Sequence, residues 1–165
     1  MSRRDPDDRA EDEAYEELAA RDLLRGRDLA DVALELLHRG DEVAVQAAGR
    51  RFTGTLIHAA GNVACLGTAL GTVDLHVDSV TTWQVLVRHR RGGLGRAGGA
   101  TSFKARLREH EAVGTMLHLG IASPDDTLVA RLAAVATDHV VADEPDGSRW
   151  FVPLVRLAWV LPVRT

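Results

Sequence analysis

Residues 54 to 85 recur at residues 130 to 161, without a gap, 76 positions further along the chain. Gly71 falls on Gly147, Trp83 on Trp159, Leu56 on Leu132, Ala60 on Ala136 and Asn62 on Asp138. Few other positions are identical, but apolar and turn positions keep step. A repeat of this length means one supersecondary unit used twice. The 165 residues therefore divide into two small units rather than one large domain. Upstream, Gly40 falls on Gly114 at an offset of 74, and the two residues gained sit in the turn Ser123-Pro124-Asp125-Asp126.

The order of elements is the same in both copies. Asp28 stands where a helix N-cap belongs, ahead of Leu29, Val32, Ala33, Leu36 and Leu37 at helical spacing. His38, Arg39 and Gly40 close that helix. Short alternating runs follow, around Val43–Ala47, Phe52–Leu56, Val63–Leu66, Val73–Val77 and Thr81–Val87, with turn signals between them. Ser102, Phe103, Leu107, Val113 and Gly114 repeat the helix. Met116–Ile121, Leu128–Val135, Val140–Ala142, Trp150–Val152 and Leu157–Val160 repeat the strands. The expected organisation is an acidic N-terminal arm over 1–27, a first unit over 28–87, a Gly/Arg-rich linker over 88–101 and a second unit over 102–165. The first ten or so residues of the arm lack apolar anchors and read as disordered. Beyond them Leu18, Leu23 and Leu24 offer an apolar stripe to a helix.

Five short strands joined by tight turns cannot bury both faces as a flat sheet, so each unit is expected to curl on itself. Gly54 suits a strand that must bend sharply. Apolar residues make up 45% of the chain but aromatics only 4%, so Val, Leu and Ala fill the interior. Units of about 60 residues lie near the lower limit of independent stability, and the two are expected to pack together or in an oligomer. The fold class read from this pattern is mainly β, two tandem five-stranded barrels, each preceded by a helix.

The helix followed by Gly40-Asp41-Glu42-Val43-Ala44-Val45, Phe52-Thr53-Gly54-Thr55-Leu56, Asn62-Val63-Ala64-Cys65-Leu66 and Gly71-Thr72-Val73-Asp74-Leu75 resembles the Sm-like, or SH3-like, small-barrel family. The second unit is similar to a more diverged copy. The resemblance implies strongly bent five-stranded barrels, ring-like assembly through edge strands, and RNA binding in many members. Asn62 corresponds to the family's uridine-binding Asn, with Asp138 in the second copy. The family's Arg-Gly pair is replaced here by Val77-Asp78-Ser79-Val80.

Motifs for chemistry are sparse. Seven histidines show no metal-ligand spacing, although His58 and His76 fall on strands read as neighbours. Asp125-Asp126 and Asp143-Glu144 with Asp146 are turn carboxylates. No serine sits in a nucleophile elbow, and Gly92-Gly93-Leu94-Gly95 lacks the setting of a phosphate loop. Cys65 alone can form neither an intrachain disulfide nor a Cys-rich zinc site, and its apolar neighbours place it in the core. Trp83 and Trp159 read as core or inter-barrel contacts, and Trp150, beside the acidic turn, as the most exposed of the three. No enzyme, cofactor or metal site is expected.

The charge balance, net −4 with pI about 6.0, leans away from a polyanion binder as a whole. One stretch leans the other way. No acid lies between Asp78 and Glu109, where Arg88, Arg90, Arg91, Arg96, Lys104, Arg106 and Arg108 lie. Those seven, with Asn62, are the candidate nucleic-acid contacts. The charged N-terminus has no signal-peptide core and no apolar run spans a bilayer, which points to the cytoplasm and to no membrane partner. The leading functional expectation is a scaffold that binds protein partners or itself as a homo-oligomer. RNA binding through the Arg-rich linker is the alternative, and a small-molecule sensor with a pocket between the barrels is a distant third.

Overall fold

A computed structural model describes residues 6–89 and 99–165. The elements are α1 (Pro6–Arg25), α2 (Leu29–Arg39), β1 (Glu42–Ala47), β2 (Arg50–Ala60), β3 (Val63–Thr68), β4 (Gly71–His76), β5 (Thr82–Val87), α3 (Phe103–Val113), β6 (Met116–Ile121), β7 (Asp126–Val135), β8 (His139–Asp143), β9 (Arg149–Pro153) and β10 (Leu157–Pro162). Short 3-10 turns at Val77–Ser79 and Leu154–Arg156 precede the last strand of each half.

The helices start and stop where their caps dictate. Asp28 and Asp31 exchange two backbone-to-carboxylate bonds, Asp31 N to Asp28 Oδ1 at 2.8 Å and Asp28 N to Asp31 Oδ2 at 3.1 Å. Ser102 Oγ accepts from Ala105 N at 3.0 Å at the start of α3. Gly40 and Gly114 close α2 and α3 with φ of 69° and 72°, a left-handed geometry that glycine adopts without a Cβ penalty. Helix α1 begins earlier than the expected disorder allows. Pro6 opens it, and Asp7 and Asp8 lie in its first turn, where the backbone N–H groups favour negative charge. Leu18, Leu23 and Leu24 are exposed on it and form no buried stripe.

The strands form one antiparallel ten-stranded sheet in the order β5-β1-β2-β3-β4-β10-β6-β7-β8-β9. Each half contributes its strands in the same internal order, last strand first. The irregularities repeat as well: the β2–β3 register shifts between Leu56 and His58, and the β7–β8 register shifts between Leu132 and Ala134. Such bulges bend a strand and raise its twist. Gly54 marks a second bend, because a Cβ there would fall 1.9 Å from the carbonyl oxygen of Gly67.

The sheet is open and continuous, which departs from two separately closed barrels. The outer edge of β4 is taken by β10 of the other half, through Trp159↔Leu75 and Val160↔Asp74. The cores cross the boundary accordingly. Ala158, Trp159 and Leu161 of β10 pack with the first half, whereas Val63 and Cys65 of β3 pack with the second. A unit this small gains more apolar burial from a shared wall than from closing alone.

Candidate functional site

The junction between the halves is built around Trp159. Its indole is fully buried, donates from Nε1 to Ala47 O at 3.1 Å, and meets Phe52 edge-on at 5.0 Å between centroids. The Arg50 guanidinium lies 5.4 Å from the indole centroid. On the other side the ring occupies the space a side chain at position 120 would need: a Cβ on Gly120 would sit 2.0 Å from it. Arg164 extends the contact by donating to Ala69 O at 2.7 Å.

Beside the strand pairing, α3 is pinned to the first half by three hydrogen bonds and a ring stack. Asn62 Oδ1 accepts from Phe103 N at 2.9 Å. The His76 ring stacks on Phe103 at 4.7 Å and its Nδ1 lies 3.0 Å from Leu157 O. Asp74, fully buried, accepts at Oδ2 from Arg106 Nε at 2.9 Å and from His110 Nε2 at 2.6 Å. Burial by itself would push the Asp74 carboxyl up. The His110 bond, the Arg106 charge and the neighbouring Cys65 thiol outweigh it and hold the carboxyl below its ordinary value. The same surroundings push the Cys65 thiol far up, by burial first and then by the Asp74 carboxylate. A thiol so shifted is not a nucleophile near neutral pH. A cavity of about 260 Å³ adjoins this cluster, lined among others by His58, Cys65, Arg106 and Glu109. Among the described residues, no three His, Cys, Asp or Glu side chains gather where a metal ion could sit. The cluster is a charged clamp between α3 and β4.

Among the described residues, the two ends of the sheet present the same strand types without partners. Strand β5 exposes Val85, Leu86 and Val87, with Trp83 half-buried. The Trp83 Nε1 is buried and has no hydrogen-bond acceptor among the described residues. Strand β9 exposes Trp150 (44%) and Phe151 (66%). Apolar side chains on an unpaired edge mark a surface suited to another strand.

The residues singled out for nucleic acid are not brought together. Asn62 and Arg106 are engaged at the junction, and Lys104 Nζ donates to Thr137 O at 2.9 Å. Arg88 and Arg108 are exposed. Arg90, Arg91 and Arg96 lie outside the described residues. His58 and His76 are not neighbours: β3 runs between their strands. His58 Nε2 instead meets Ala100 O at 2.7 Å. Trp150 is the most exposed tryptophan, as its turn context suggested, and Cys65 is buried.

No protein-family model matches the chain, and comparison with curated proteins and with solved structures finds no match. No helix among the described residues is long and apolar enough to cross a membrane.

Sequence reasoning missed Asp74 and His110 as residues of the junction between the halves. Asp74 sits between Val73 and Leu75, where alternation assigns an outward polar side chain. Only the arrival of α3 turns that outward face into a buried one.

Proposed function

We propose that the protein is a non-enzymatic scaffold of tandem Sm-like design whose purpose is to bind further copies of itself through its sheet edges. The tandem Sm/SH3-like reading rests on the repeated strand order, the bulges at matching places in β2 and β7, and the helix ahead of each five-strand set. Self-association rests on one observation. The chain already contains the interface, formed once between β4 and β10, and leaves the duplicate edges β9 and β5 open. Pairing β9 of one copy with β5 of the next repeats a contact that the same backbone geometry makes internally. Such an interface is heterologous, so copies add head to tail and close a ring if the rotation allows. Covering the exposed parts of Trp150 and Phe151, roughly 200 Å² together, would contribute about 5 kcal/mol before association costs.

Sedimentation velocity over a concentration series tests this. A defined oligomer that Phe151→Lys reduces to monomer is the expected result, because a lysine on an edge strand opposes pairing. A monomer of the unmodified chain at about 100 µM, a weak-affinity range, would end the reading. RNA binding keeps support in the exposed Arg88 and Arg108. Retention on an RNA column that falls steeply with salt and weakens in the double variant Arg90→Ala, Arg91→Ala would favour it.

A further inference from the structure

The internal junction and the open edges carry different chemistry at matching positions, and the difference specifies how copies join. The repeat offset of 76 puts Trp150 where Asp74 stands. The helix caps align α2 with α3, Asp28 on Ser102 and Gly40 on Gly114, which puts Val32 at the place of Arg106 and Leu36 at the place of His110. Inside the chain, therefore, a carboxylate meets a guanidinium and an imidazole. At the open ends, an indole would meet Val32, half-buried at the rim of the first core, because Leu36 is already buried inside that core. Both sides of the contact have changed together, from polar to apolar.

Resting on the self-association reading above, we infer that Trp150 is the specificity residue of the intermolecular joint and that its seat is the α2 face of a second copy. The neighbouring positions agree. Phe103, whose ring is buried on His76, is matched by Leu29, which is 46% exposed. Asn62, which caps Phe103 N–H, is matched by Asp138, an exposed carboxylate suited to the start of a helix such as α2.

The code also rejects wrong joints. Asp74 set against Val32 would be a buried carboxylate with no partner, and Trp150 set against Arg106 and His110 would leave both without their acid. The halves therefore cannot trade places, and the two kinds of junction alternate along an assembly.

The test is charge transplantation in the full-length chain, read by sedimentation equilibrium. Trp150→Asp should weaken assembly by roughly 30-fold or more, the loss expected of a central aromatic contact. Adding Val32→Arg should restore most of it, because the pair then copies Asp74 with Arg106. Trp150→Lys with Val32→Arg should stay dissociated. Trp150 is exposed, so Trp150→Asp should keep the unmodified chain's thermal midpoint as a monomer; Val32 packs against the first core, so the midpoint of Val32→Arg is measured alongside, and Leu29→Arg, one turn away and exposed, is the second rescue variant. If Trp150→Asp assembles like the unmodified chain, or neither Val32→Arg nor Leu29→Arg rescues it, the inference is overturned while edge pairing stands. If the unmodified chain is itself monomeric, the underlying reading falls, and the inference with it.

Discussion

Strands β4 and β10 are sealed against each other, and β9 and β5, their duplicates, face outward. Leu75, Asp74 and Trp159 are all fully buried, whereas Phe151, Trp150 and Trp83 at the matching positions are exposed or half-buried. The local sequence is of similar character in both places. What differs is whether another strand lies alongside. Burial here belongs to the joint and not to the strand, so an edge residue's role is only complete when its neighbour is named.

That contrast can be tested by substitution. Trp159→Ala removes a fully enclosed indole with its hydrogen bond and should cost about 3–5 kcal/mol in urea unfolding. Trp83→Ala should cost the isolated chain under about 1.5 kcal/mol, since its ring is only half-covered. Equal losses would erase the distinction between the two strands.

Asp74→Ala strands His110 and Arg106 in a covered position and should destabilise by about 3 kcal/mol. Trp150→Ala, at the matching edge position, should stay within about 0.5 kcal/mol in the monomer. The acid limb gives a second measurement on the same residue. Asp74 has a lowered pKa in the folded chain, so its contribution is fully present above the ordinary carboxylate range and fades as pH falls through its lowered value. Urea midpoints followed downward from pH 7 should therefore fall less in Asp74→Ala than in the unmodified chain. An identical acid limb would mean that Asp74 is not the clamp.

Gly54→Ala compares the halves at a bend. Its Cβ would collide with the Gly67 carbonyl, so a loss of about 1–3 kcal/mol is expected by thermal unfolding. Ala130 occupies the matching place in β7, fully buried, and Ala130→Gly should cost about 1 kcal/mol through chain entropy and lost packing alone. The smallest effect is at the caps. Asp28→Ala removes the carboxylate's half of the reciprocal pair and should cost about 1 kcal/mol, with Ser102→Ala, likewise the loss of one bond, close to that.

Much of the local structure was legible beforehand. Helix ends followed from Asp28, Gly40, Ser102 and Gly114, since caps are decided by residues within one turn. Strands followed from alternation and the turns from Gly and Asp. The reading of the arm erred because α1 has no packed face, and composition could not separate a solvated helix from disorder. His58 and His76 were misplaced by one strand because alternation gives no strand order. The junction residues Asp74 and His110 escaped notice for a related reason. Each sits at a position whose exposure depends on an element far away in sequence.

The amino-acid sequence by itself determined that one helix-plus-five-strand unit occurs twice, where the helices α2 and α3 begin and end, and that the chain carries two versions of every edge. Those properties arise from side chains acting within a few residues of one another. Tertiary structure alone decided that the two units share one sheet, that β4 and not β9 is covered, and that a lone aspartate becomes a buried clamp. Each of those outcomes depends on surfaces meeting across most of the chain's length, and pairing energy between distant strands leaves no local trace.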